Sequence, residues 1–100
     1  MFRKPPDLVL ETAEGIAAQG LAFLAEEPAR LVRFLTETGL APEQIREQAA
    51  TRAFLAAVLE HLANDESLLL VFAASTAVAP ETVAPALALL QQAARGDAKP

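Results

Sequence analysis

The sequence contains no cysteine, no tryptophan and no tyrosine, and only 4 glycines among its 100 residues. Without cysteine there is no disulfide framework, no thiolate nucleophile and no cysteine-ligated zinc or iron–sulfur site. Glycine this sparse leaves no glycine-rich loop to cradle a phosphate. The longest unbroken apolar runs, Leu68 to Ala74 and the equally long Ala53 to Leu59, fall far short of the roughly 20 residues a helix needs to cross a bilayer. Lysine and arginine are missing from most of the second half: between Arg52 and Arg95 the acidic residues Glu60, Asp65, Glu66 and Glu81 stand alone. With a formal net charge of −5, the surface is expected to repel phosphate backbones and acidic lipid headgroups. The opening Met1-Phe2-Arg3-Lys4-Pro5-Pro6 has no apolar segment behind its charges, so no export signal is visible and a cytoplasmic address is expected.

What is present is helix-forming. Apolar residues make up 53% of the chain, mainly alanine and leucine, which lead the helix-propensity ranking, while β-branched and aromatic residues are few. That composition excludes global disorder and predicts an all-α protein of a single domain, residues 7–95, with frayed ends at 1–6 and 96–100.

The chain also resembles itself. Shifted by 38 positions, Leu21, Leu24, Ala25, Leu31, Phe34, Thr38, Ala41, Pro42 and Glu43 recur as Leu59, Leu62, Ala63, Leu69, Phe72, Thr76, Ala79, Pro80 and Glu81. Alanine and leucine match by accident easily, but Phe, Thr and Pro-Glu agreeing in one register point to a duplicated unit, copy one about 12–50 and copy two about 51–94. Each copy reads as three helices. The first runs from about Thr12, or from Asp7, to Ala25, with Ile16, Gly20, Phe23 and Leu24 on one stripe. Pro28 opens a second, carrying Leu31, Phe34 and Leu35, which stops at Gly39, a residue suited to a left-handed cap. Ala41-Pro42-Glu43 begins a short third containing Ile45 and Ala49. In copy two, Thr51 caps a helix through Leu55, Val58 and Leu62, and Asn64-Asp65 caps the next. Pro80 starts a last one with Val83, Leu87 and Leu90 facing inward. Five to six short helices with brief turns predict a compact orthogonal bundle, held by packing because none is stable alone at these lengths.

Four strings, Leu21-Ala22-Phe23-Leu24-Ala25-Glu26-Glu27-Pro28, Phe34-Leu35-x-x-Thr38-Gly39-Leu40-x-Pro42, Ala53-Phe54-Leu55-Ala56-Ala57-Val58-Leu59 and Asp65-Glu66-Ser67-Leu68-Leu69, carry a family resemblance. Across roughly residues 11–90 the chain resembles a small alphaproteobacterial family known only as a domain of unknown function, the Phe-Leu-x-x-Thr-Gly-Leu element being the most specific part. The resemblance implies a cytoplasmic bacterial helical protein. It implies no activity, cofactor or catalytic residue.

Residues 35–48 look like a helix-turn-helix, with Gly39 in the turn and Ile45 at the anchor of a recognition helix. Reading DNA requires cations for phosphates and donors for base edges. Here Arg46 and Arg52 are balanced by Glu43 and Glu47, and the corresponding turn at 73–84 has no lysine or arginine. A packing turn used twice is the simpler account, and nucleic-acid binding is kept as the alternative. His61, the single histidine, is the first suspect for acid–base work, and Asp65 stands at i+4, within reach for an ion pair along a helix. No serine or cysteine nucleophile pattern surrounds it and no second histidine could complete a zinc site. The shift places it where copy one has Phe23, a position flanking the core. The pairs Glu11/Glu14 and Glu43/Glu47 lack the Glu-x-x-His spacing of di-iron bundles and read as solvated faces.

The informative departure from the repeat is Leu68-Leu69-Leu70-Val71-Phe72. Leu68 and Val71 stand where copy one has Arg30 and Arg33 on an expected wet face. Either this helix is central and buried all round, or Leu68, Leu70 and Val71 form an exposed patch that closes a homodimer or receives a partner helix. The expected function is a non-catalytic interaction module, regulatory or accessory, without cofactor or metal, acting on a protein partner or itself as monomer or homodimer. An enzyme or ligand carrier would require a pocket between the copies, lined by His61 and nearby carboxylates.

Overall fold

Proline and capping residues punctuate the chain as their chemistry requires. In the computed structural model, which describes residues 8–97, six α-helices follow one another: α1 (Leu10–Ala25), α2 (Pro28–Thr38), α3 (Pro42–Gln48), α4 (Arg52–Ala63), α5 (Glu66–Thr76) and α6 (Val83–Asp97). A 3-10 turn, Pro80–Thr82, leads into α6, and no strand occurs among the described residues. Pro28 and Pro42 occupy first-turn positions, where the missing N–H would have no helical acceptor anyway. Thr51 and Asp65 cap α4 and α5, their side-chain oxygens accepting from the backbone N–H of Phe54 at 3.2 Å and Leu68 at 3.1 Å.

α1 starts at Leu10, two residues before Thr12, because Leu8 and Leu10 already pack against the core. The predicted fray at 1–6 lies outside the described residues. At the other end the expectation was wrong for Gly96 and Asp97, which continue α6. There the Asp97 carboxylate accepts from Arg52 Nη1 at 3.2 Å, tying the last helical turn to the first turn of α4.

α1, α4 and α6 pack against one another along most of their lengths. They supply most of the core: Ala13, Ile16, Ala17, Phe23 and Leu24 from α1; Phe54, Leu55, Val58, Leu59 and Leu62 from α4; Val83, Ala86 and Leu90 from α6. Gly20 is what lets α1 and α4 approach, since a Cβ there would lie 3.0 Å from Val58 Cγ1 and 3.1 Å from Leu62 Cδ1. α2 and α5 are outer helices of equal length, each inserting one fully buried phenylalanine, Phe34 and Phe72. α3 is peripheral; its Ile45 is half-buried and no residue of it is fully buried.

Positions 38 apart share several local features. α2 and α5 begin and end 38 residues apart, and their C-caps, Gly39 and Ala77, both adopt the left-handed conformation, with φ of 75° and 62°. Phe23 meets the Phe72 ring edge-on at 5.5 Å, and His61, 38 residues after Phe23, meets the Phe34 ring edge-on at 5.3 Å. The third helices differ: α3 has 7 residues on the outside, α6 has 15 against the core.

Candidate functional site

The outer face of α5 is set by helical geometry. Phe72 is driven inward onto Phe23, with Leu69, Ala73 and Thr76 half-buried beside it. Residues three and four positions apart share a helix face, so Ser67, Leu70, Val71, Ala74 and Ser75 are left on the outside, all exposed. Leu70 is 53% and Val71 44% exposed, and the stripe from Ser67 to Ser75 carries no charge. The alternative of a central helix buried on every side is therefore overturned. The proposed patch is also corrected in one member: Leu68 is half-buried and lines a small cavity of about 200 Å³ with Arg30, Arg33 and His61. Its counterpart Arg30 likewise turns inward, placing its guanidinium carbon 4.2 Å from the centre of the Phe23 ring. Ala74 and Ser67 belong to the face and were missed, because small residues give no signal in a search for large apolar ones. Val9 and Val32 are the other large apolar side chains exposed among the described residues.

His61 lies in the last turn of α4 with its side chain 6% exposed. It does not pair with Asp65, whose carboxylate is committed to capping α5. Its Nδ1 is 3.1 Å from Glu37 Oε1 on α2, and Glu37 Oε2 in turn accepts from Arg33 Nε at 3.2 Å. An ionised carboxylate can only accept, so the contact assigns the hydrogen to Nδ1 and leaves Nε2 without one in the neutral ring. That Nε2 is buried and has no hydrogen-bond partner. A groove of about 380 Å³ between α2 and the start of α5 is lined by Arg33, Glu37, His61, Asp65 and Ser67 among others, so His61 and Asp65 share a surface without touching. A general base must reach the proton it removes. The unpartnered Nε2 of His61 is buried, and Nδ1 is occupied by Glu37.

The remaining sequence candidates fall apart in space. Glu14 is drawn off the solvated pair with Glu11 and accepts from Arg52 Nε at 3.1 Å, joining α1 to α4. That hydrogen bond, with the charge of Asp97, raises the Arg52 pKa above its ordinary value, so the guanidinium keeps its proton throughout the working range. In residues 35–48, the Gly39 N–H donates to the Leu35 carbonyl at 2.9 Å, and the Gln44 side chain accepts from the Ala41 N–H at 2.7 Å to close the start of α3. α3 presents Glu43, Arg46 and Glu47 to solvent. No three histidine, aspartate or glutamate side chains converge as a metal site among the described residues, and no single described helix is long and apolar enough to cross a membrane.

The fold and surface together define an all-α bundle whose outer helix α5 exposes two adjacent large apolar side chains and whose helix α4 ends in a buried imidazole. Residues 10–93 match the family described as protein of unknown function (DUF3572), and the chain belongs to that family. No curated protein matches the chain, and neither does any solved structure.

Proposed function

We propose that this chain is a non-catalytic helical interaction module, regulatory or accessory, that docks protein through the outer face of α5. The observation that carries the reading is the exposure of Leu70 and Val71, adjacent on one helix, with Ser67, Ala74 and Ser75 beside them and Glu66, the one charged residue of α5, at the edge. Single exposed apolar residues are ordinary, but two large ones side by side, with no charge between Ser67 and Ser75, depart from what a solvated helix carries. α2 provides the contrast: its outer face has Val32 but also the Arg33–Glu37 ion pair, with side chains 67% and 50% exposed. The sealing of His61 Nε2 supports a non-catalytic role, because the lone pair best suited to a general base has no path to a substrate.

The duplication belongs to this reading as well. Equal helix lengths, paired left-handed caps and the crossed contacts Phe23–Phe72 and His61–Phe34 support descent from a doubled three-helix unit. In that history the second outer helix exchanged Arg33's position for Val71. The cytoplasmic, alphaproteobacterial setting follows from the family resemblance.

The reading is tested by photo-crosslinking in the producing cell, with a photoreactive phenylalanine analogue in place of Val71 and, as control, in place of Gln19 on the exposed side of α1. A discrete adduct from position 71, and none from position 19, is expected. Absence of an adduct at position 71 refutes the interaction surface.

A further inference from the structure

We draw no further inference here: the strongest candidate, the groove between α2 and the start of α5, belongs to the site already described, with its Glu37 committed to Arg33 and His61 and its Asp65 to the cap of α5, and nothing in the structure shows what would fill it.

Discussion

Replacing His61 with phenylalanine asks what the imidazole does for the fold. The side chain is 6% exposed, its Nε2 is buried without a partner, and its ring meets Phe34 edge-on at 5.3 Å. A buried polar atom with no hydrogen bond costs about 1–3 kcal/mol. Against that stands the hydrogen bond from Nδ1 to Glu37, whose side chain is 50% exposed and keeps Arg33 as a partner. Screening discounts this interaction to at most about 1 kcal/mol. A phenylalanine keeps the edge-on contact, since Phe23 makes the same kind of contact with Phe72 at 5.5 Å. It adds apolar burial, partly offset by the strain of a larger ring in a packed site. The balance favours the variant by about 1 kcal/mol, which for a domain of this size raises Tm by roughly 4–8 °C. His61→Ala, which removes the ring, should destabilise by about 2–4 kcal/mol. Urea unfolding followed by far-ultraviolet circular dichroism is the suitable assay, because the chain lacks tryptophan and tyrosine for fluorescence. A His61→Phe protein less stable than wild type by more than about 1 kcal/mol would refute the reasoning and show that the ring nitrogens, rather than the ring, hold this position.

Gly20→Ala gains about 1 kcal/mol of helix propensity but drives a methyl to within 3.0 Å of Val58 Cγ1 and 3.1 Å of Leu62 Cδ1. With α1 and α4 both tightly packed there, a net loss of about 1–2 kcal/mol is expected. The double variant Gly20→Ala/Val58→Ala should lose less than the sum of the two single changes, a favourable coupling visible in a double-mutant cycle. Ala77→Gly relieves a left-handed alanine at φ 62° and should stabilise by about 0.5–1 kcal/mol, whereas Gly39→Ala at φ 75° should destabilise by a similar amount; chemical denaturation of the pair checks both signs. Arg52→Gln releases Glu14 and Asp97, so amide exchange should accelerate in the last turn of α6 while the core of α4 is unaffected.

Much of the fold was legible residue by residue. Pro28, Gly39, Pro42, Thr51 and Asp65 mark helix ends through backbone chemistry that acts within a few residues, and each stands where its local rule puts it. Legibility failed where a partner comes from far along the chain. Asp65 is at the right spacing to bond His61, but its carboxylate is worth more to the open N–H groups at the start of α5, and Glu37 reaches His61 from α2 instead. Glu14 is drawn away from its neighbour Glu11 by Arg52, 38 residues distant. Helix α6 outlasts the expected fray at Gly96 and Asp97 because Arg52 holds its end.

Helical class and the helix ends marked by Pro28, Gly39, Pro42, Thr51 and Asp65 were settled by the sequence alone, because propensity, proline geometry and capping are properties of short segments. Only the tertiary structure decided which side of an all-apolar helix faces water. Leu68, Leu70 and Val71 are chemically alike and lie within four residues, so periodicity could not rank them. The rotation of α5 is set by Phe72 locking onto Phe23 of α1, a contact 49 positions long, which turns Leu68 inward and leaves Leu70 and Val71 outside.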